Sequence, residues 1–235
     1  MFSFQFQLDI EKDLKNRVDW CNKISHGKNW KESLSPEYQE IANKLVWISY
    51  EEAKEFMIPY LNKLYKDNKI LIDTVLIKSQ KIFQEKFEQA CLCMERLTKR
   101  PIYRKDFTIY LTTFPRGPYD YEKWYIWTCI FWNIDNFLWN FLHELQHFQV
   151  IHYYKDSNAM KDLTNEQFEF LKESLTVILN DSCQQFLAKP DKWYLLHKEL
   201  RSDLREYWKQ NKNFEKVIEY WCDRINVYKN VDKTL

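Results

Sequence analysis

The residues best suited to chemistry are His143, Glu144 and His147, which stand together in the pentapeptide HELQH. On an α-helix, residues i and i+4 lie on one face, about one turn apart. Two imidazoles at that spacing can bind one metal ion from the same side. Glu144 directly follows the first histidine, so its carboxylate can reach a water on the metal without binding the metal itself. This H-E-x-x-H pattern predicts two zinc ligands and one general base.

A zinc ion held in this way has a definite role in hydrolysis. It lowers the pKa of a bound water to roughly 7 and polarises the carbonyl of the substrate. Glu144 would take the proton from the water and later pass it to the leaving amine.

The motif lies within a segment that predicts a long, mostly buried helix, because apolar residues surround it at helical spacing. These residues are Phe137, Leu138, Phe141, Leu142, Leu145 and Phe148. Asn133 or Asp135 can cap the start of the helix. Buried polar groups without partners are costly, which favours a metal site over the alternative of two core histidines and a surface glutamate.

A third ligand is predicted on the next helix, which begins with a capping box of Thr164 and Gln167. Glu173 lies well inside this helix, on an apolar stripe with Phe170. A carboxylate on such a stripe requires a partner, since an unpaired buried charge is expensive, and a metal supplies one. The rival candidates in the same segment are Glu166, Glu169 and Asp181.

With this motif and this glutamate, the sequence resembles the zincins, the H-E-x-x-H class of metallopeptidases. The resemblance covers about residues 107–185 and is closest to the gluzincins, whose third ligand is a glutamate on a following helix. It implies that His143, His147 and Glu173 bind Zn²⁺. The chain does not resemble a metzincin, because that pattern requires a third histidine where the chain has Tyr153.

The resemblance also implies residues that orient a histidine and stabilise an oxyanion. Many gluzincins carry an aspartate four residues after the ligand glutamate, but this chain has Val177 there. Asn180, two turns along from Glu173, is a candidate for that role. For the oxyanion, Tyr194 and His197 lie downstream on one helical face. The competing tyrosines are Tyr119, Tyr153 and Tyr154.

The composition indicates a globular protein with balanced charge. Its 235 residues include 35 basic and 34 acidic side chains, for a net charge of +1. This balance argues against nucleic acid or a membrane surface as a partner, and the expected partner is a peptide or protein substrate. The apolar run 124–132 is too short to cross a bilayer as a helix, and the first residues show no secretory signal. The six cysteines predict small core residues in a reducing, cytoplasmic compartment.

Hydrophobic periodicity predicts an α+β, predominantly helical, zincin-like fold with a small β-sheet preceding the metal-binding helix. We expect a single zincin-like domain across residues 1–235. Its parts are a helical layer in 1–100, the sheet with the motif helix and the glutamate helix in 101–186, and C-terminal helices in 187–235. The predicted strands are 2–8, 107–113 and 124–132.

Capping and breaking signals divide the helical regions. The predicted helices are 10–24, one from Pro36, one from Ser49, 70–98, the motif helix, 164–186, 193–210 and 213–228. Ser49 and Glu52 form a capping-box pattern. Pro59 should kink or interrupt the helix that follows, because proline lacks the N–H group and clashes with the preceding turn.

Taken together, these patterns predict a zinc-dependent hydrolase, specifically a metallopeptidase. Two other classes stay open. One is a zincin-like module that binds a partner without catalysis, and the other is a helical interaction domain without metal. Glu144 favours the enzyme, since a protein that does not catalyse has little use for an acid at that position.

Overall fold

The computed structural model describes residues 1–25, 28–191 and 197–225. It confirms an α+β fold that is mostly helical, with a small mixed sheet whose strands precede the motif helix along the chain. Among the described residues, no helix is both long enough and apolar enough to cross a membrane.

The predicted strands and most of the predicted helices are present, with ends shifted by a few residues. The helices are α1 (Ile10–Cys21), α2 (Pro36–Lys44), α3 (Tyr50–Asp67), α4 (Lys69–Thr98), α5 (Asp135–Tyr154), α6 (Asn165–Leu175), α7 (Leu179–Ser182), α8 (Lys198–Asn211) and α9 (Phe214–Cys222). The strands are β1 (Ser3–Leu8), β2 (Ile24–Ser25), β3 (Lys28–Asn29), β4 (Asp106–Thr112), β5 (Tyr119–Asp120) and β6 (Tyr125–Cys129). Short 3₁₀ segments occur at Lys31–Ser33, Thr176–Ile178 and Gln184–Phe186.

The chain divides into two compact units. The first comprises Met1–Ile24, Lys28–Glu85 and Asp106–Asn140. The second comprises Ser25, Lys86–Lys105 and the described residues from Phe141 onward. These units cut across the three consecutive parts expected from the sequence, and a single domain stays a prediction.

The sheet of the first unit has the strand order β1-β4-β6-β5. Strands β1, β4 and β6 are parallel, and β5 pairs antiparallel with β6. Phe4 is in register with Phe107, and Phe6 with Ile109, so alternate apolar residues of neighbouring strands share one face. The rings of Phe4 and Phe6 lie 5.2 and 5.0 Å from the ring of Phe83 on α4. The alternation in the first residues therefore marks a strand that is anchored by a helix.

Asp13 on α1 is fully buried and joins this helix to the end of β4. Its carboxylate accepts hydrogen bonds from the hydroxyls of Thr112 and Thr113 and from the backbone N–H of Thr113. Tyr65 donates a further hydrogen bond at 3.0 Å, and the Arg17 guanidinium lies 4.0 Å away. A carboxylate can be buried here because several donors satisfy it.

Helix α3 runs from Tyr50 to Asp67 without a break, so the expected interruption at Pro59 is wrong, while a kink there stays a prediction. The predicted capping box of Ser49 and Glu52 is confirmed at its start. Pro59 is flanked by Met57 and Leu61, both fully buried in the core of the first unit. Burial of an aliphatic side chain contributes about 1.5–3 kcal/mol, so packing on both sides can offset the cost of an internal proline.

The second unit is built from the end of α4, most of α5, and the helices that follow. Phe87 and Phe141 pack at a ring distance of 4.8 Å. The capping box predicted for Thr164 and Gln167 is confirmed at the start of α6. The prediction that this helix continues to 186 is wrong, because α6 ends at Leu175 and the chain goes on as shorter helical pieces.

One pair of cysteines is not in the reduced state that the sequence predicts. Cys93 and Cys183, 90 residues apart in sequence, form a disulfide within the second unit. Cys21, Cys91 and Cys129 are free and buried, as expected for small core residues, and Cys222 is free and partly exposed. Disulfides persist in oxidising compartments and are rare in the cytoplasm, so the cytoplasmic location stays a prediction that the state of this pair can test.

Under denaturing conditions without reductant, we expect four thiols per chain to react with a thiol reagent, since four cysteines are free. All six cysteines of the chain should react after reduction. Replacing Cys93 and Cys183 together by alanine should lower the free energy of unfolding by roughly 2–4 kcal/mol, as measured in urea. Cys91→Ala, a buried free cysteine on the same helix, is the control. Six reactive thiols before reduction would contradict the pairing.

Candidate metal centre

Helix α5 carries the HELQH motif and is held at its start by Asn133, whose side chain accepts a hydrogen bond from the Asp135 N–H at 3.1 Å. The helix therefore starts where the sequence predicts, with Asn133 as the capping residue. His143 and His147 are both buried within it. Their Nε2 atoms face each other at 3.1 Å, as expected for residues one turn apart on one face.

Glu173 on α6 points at the two histidines and is itself buried. Its Oε1 lies 3.2 Å from the Nε2 of His147, and its Oε2 lies 3.4 Å from the Nε2 of His143. We call these three groups, the two Nε2 atoms and the carboxylate of Glu173, the donor triangle. The structure thus brings together the three residues that the sequence predicts as metal ligands.

The rival acids are engaged elsewhere or lie on the surface. Glu169 accepts a hydrogen bond from the buried Lys172 at 2.7 Å. Asp181 accepts two hydrogen bonds from Arg205, at 2.8 and 2.7 Å. Glu166 is partly exposed in the first turn of α6, where the helix dipole favours an acid. Of the predicted candidates, Glu173 is the one that faces both histidines.

The donor triangle fits a zinc ion. Zinc ligands lie at about 2.0–2.1 Å, so two ligands of one tetrahedral ion lie about 3.3–3.4 Å from each other. The two Nε2 atoms are 3.1 Å apart, and each contacts a different oxygen of Glu173, His147 at 3.2 Å and His143 at 3.4 Å. Within the part of the chain that the structure describes, Oε2 of Glu173 is buried, and its 3.4 Å contact with the Nε2 of His143 does not have hydrogen-bond geometry. A buried carboxylate oxygen requires compensation, which a cation held in the triangle would supply.

Glu144 lies beside the triangle, and its carboxylate is further from His147 than the carboxylate of Glu173 is. Its Oε2 is 3.9 Å from the Nε2 of His147, and its side chain is buried. The ligand atoms of His143, Glu144 and His147 all lie within 4.8 Å of one another. These three residues could themselves hold a metal ion, but the carboxylate of Glu144 lies further from the Nε2 of His147 than that of Glu173 does.

Burial and the contacts among buried groups shift the pKa values of His143, His147 and Glu173 in different directions. Burial would lower the pKa of His143, but its contacts with Asp191 and Glu173 outweigh burial and raise the pKa to about 10. Burial lowers the pKa of His147 to about 4. Burial would raise the pKa of Glu173, yet the two histidines hold it well below its usual value. Glu173 is therefore ionised and His147 neutral, which are the forms that bind a metal, whereas His143 would have to lose a proton before its Nε2 could bind one.

Asp191 orients His143 from the side opposite the triangle, and sequence reasoning missed it. Its Oδ2 lies 3.3 Å from the Nδ1 of His143. A carboxylate on the second ring nitrogen fixes which nitrogen is free to bind a metal. Asn180, the sequence candidate for this role, acts one step further out, because its side chain binds the backbone N–H and carbonyl of Asp191 at 2.6 and 3.0 Å. Asp191 follows Pro190 in a loop, where no periodicity could have singled it out.

Of the two predicted oxyanion donors, Tyr194 and His197, the structure describes only His197. His197 is fully buried, with its Nδ1 at 3.2 Å from the Ser174 hydroxyl and its ring 4.4 Å from that of Phe170. Tyr194 lies outside the described residues. The hydroxyls of Tyr153 and Tyr154 donate to backbone carbonyls, and Tyr119 belongs to the first unit. A role for Tyr194 or His197 stays a prediction.

Comparisons with known proteins add no relative to this picture. Protein-family models, curated protein sequences and solved structures all give no significant match to the chain. Its function must therefore be inferred from the side chains themselves.

Proposed function

We propose that this protein is a zinc-dependent hydrolase of the gluzincin type, a metallopeptidase that acts on peptide or protein substrates. The observation that carries the proposal is the donor triangle, whose members lie 3.1–3.4 Å from one another. Two imidazoles and one carboxylate form a ligand set of catalytic zinc sites, which leave the fourth position open for water. Structural zinc sites use four protein ligands and leave no such position.

The residues of the chain divide the work of hydrolysis among them. When bound, zinc lowers the pKa of a water molecule and polarises the carbonyl of the substrate. His143, His147 and Glu173 hold the ion, and Asp191 fixes the ring of His143. Glu144 accepts a proton from the water and returns it to the leaving amine.

Glu144 also favours catalysis over a module that only binds a partner. The donor triangle already offers three protein ligands, the number found in catalytic zinc sites, so a second buried carboxylate is not required to hold the metal. Burying a carboxylate costs free energy unless it is paired and hydrogen-bonded, so its presence beside the triangle favours a functional role. A general base beside the metal gives it a use.

Protein purified without chelator should contain about one zinc per chain, because the donor triangle is one set of three converging ligands among the described residues. Elemental analysis of the purified protein measures the content. Removal of the metal with a chelator, followed by titration with Zn²⁺, should restore the same stoichiometry. A protein with no transition metal that also fails to take up Zn²⁺ would contradict the proposal, whatever its activity.

A further inference from the structure

Arg201 on α8 is a buried arginine that contacts both the helix end that carries Glu173 and the loop that carries Asp191. Its Nη1 donates to the backbone carbonyl of Glu173 at 3.1 Å and to the Thr176 hydroxyl at 2.9 Å. Its Nη2 donates to the backbone carbonyl of Asp191 at 2.8 Å and lies 3.3 Å from the Oδ1 of the same residue. One guanidinium thus bridges the helix end that carries Glu173 and the loop residue that orients His143.

This set of contacts requires an arginine. A guanidinium is planar and rigid, and it presents five donors in a fixed fork. Here the two terminal nitrogens reach acceptors from two different segments. A lysine ammonium is a compact point charge on a flexible stem, so it could not hold the same acceptors in one fixed arrangement. Burying a charge is unfavourable unless it is paired and hydrogen-bonded, and Arg201 has three hydrogen bonds and an ion pair with Asp191.

Asp191 is the point at which the contacts converge. Asn180 binds its backbone N–H and carbonyl, and Arg201 binds its carbonyl and one carboxylate oxygen. The other carboxylate oxygen, Oδ2, contacts the Nδ1 of His143. These contacts fix the direction of the Asp191 carboxylate.

We propose that Arg201 is a positioning residue that fixes two of the three metal ligands, Glu173 through its backbone and His143 through Asp191. This inference rests on the proposed function, since it assumes that the donor triangle holds a metal. Arg201 itself would contact neither the ion nor the substrate. Its effect is on the affinity and the coordination geometry of the metal.

Arg201→Met tests the proposal, with Arg205→Met as the matched control. Arg205 is on the same helix but pairs with Asp181 at the protein surface. Removing an outer partner of a ligand typically costs 10–100-fold in metal affinity, and we expect a loss of about that size for Arg201→Met. Competition with a chromogenic chelator measures the dissociation constant for Zn²⁺. Arg205→Met should keep the wild-type value.

A second measurement separates positioning from general support of the fold. Co²⁺ placed in the site gives visible absorption bands that depend on the arrangement of its ligands. We expect these bands to shift in Arg201→Met and in Asp191→Asn but not in Arg205→Met. If Arg201 acts through Asp191, the double variant Asp191→Asn with Arg201→Met should lose less affinity than the sum of the two single losses. Arg201→Lys and Asp191→Asn keep the test available should Arg201→Met fail to fold.

The outcomes for the two proposals are distinct. Wild-type protein that takes up no metal would overturn both of them. Wild-type protein that binds Zn²⁺, together with Arg201 variants of unchanged affinity and unchanged Co²⁺ bands, would overturn only the role of Arg201. Equal losses in Arg201→Met and Arg205→Met would show that α8 supports the fold in general, and would also overturn it. A selective loss in the Arg201 and Asp191 variants supports the proposal even if no peptide is cleaved.

Discussion

Glu144→Gln should reduce peptide hydrolysis by about 10²–10⁴-fold, which is the usual contribution of general acid–base catalysis. Glutamine keeps the size of the side chain and its capacity for hydrogen bonds, but it cannot accept a proton at neutral pH. The Glu144 carboxylate is 3.9 Å from the Nε2 of His147, whereas both oxygens of Glu173 are closer to a histidine. Zinc content and folding should therefore stay close to those of the wild type.

The measurement uses a peptide library incubated with the wild type and the variant, with cleavage products identified by mass spectrometry. Zinc is determined on the same samples, so that a loss of activity can be separated from a loss of metal. Glu199→Gln, an exposed glutamate in the first turn of α8, is the control and should cleave like the wild type. Equal cleavage by wild type and Glu144→Gln would contradict a role as general base and point to a contaminating protease. Zinc loss in Glu144→Gln would instead make Glu144 a ligand.

Local patterns account for the parts of the site that could be predicted. His143, Glu144 and His147 share one helix, and their geometry follows from its period alone. Glu173 was predictable because it lies on an apolar stripe, where an unpaired carboxylate is unfavourable. The capping box at Thr164 gave the start of its helix, which the structure confirms. Each of these signals acts over a few residues of sequence.

The parts that could not be predicted depend on contacts between distant segments. Asp191 meets His143 across 48 residues of sequence, and Arg201 meets Glu173 across 28. Asp191 lies in a loop and Arg201 on a charged helix, so neither interrupts an apolar pattern. Cys93 and Cys183 are likewise joined by the fold, and Cys93 is separated from Cys91 by one residue without sharing its role.

Pro59 shows that local sequence patterns can also fail to predict secondary structure. The local rule predicts a break, because an internal proline removes one hydrogen bond and costs about 3 kcal/mol or more. The helix continues because Met57 and Leu61 are buried on either side. The rule describes the isolated helix, and the packing that overrides it is visible only in the folded unit.

His147→Ala should weaken Zn²⁺ binding by more than about 100-fold, which exceeds the loss typical of an outer partner. The variant removes one of three protein ligands, and a site with two ligands rarely holds zinc. Its Nε2 is the atom of the triangle nearest to both other donors, at 3.1 Å from His143 and 3.2 Å from Glu173. Chelator competition measures the affinity, and Zn²⁺ should raise the thermal midpoint of the wild type but not of the variant.

The control is His152→Ala, on the same helix but stacked on the exposed Tyr103 at a ring distance of 3.9 Å. It should keep the wild-type affinity, which separates the loss of a ligand from the loss of any histidine on α5. His147 is fully buried, so its truncation also leaves a cavity that lowers stability. Glu173→Gln keeps the volume of its side chain and removes the charge, so it should lose affinity with less effect on packing. Tight Zn²⁺ binding by both His147→Ala and Glu173→Gln would show that the metal binds elsewhere in the protein. The donor triangle would then be a buried ion pair without a metal.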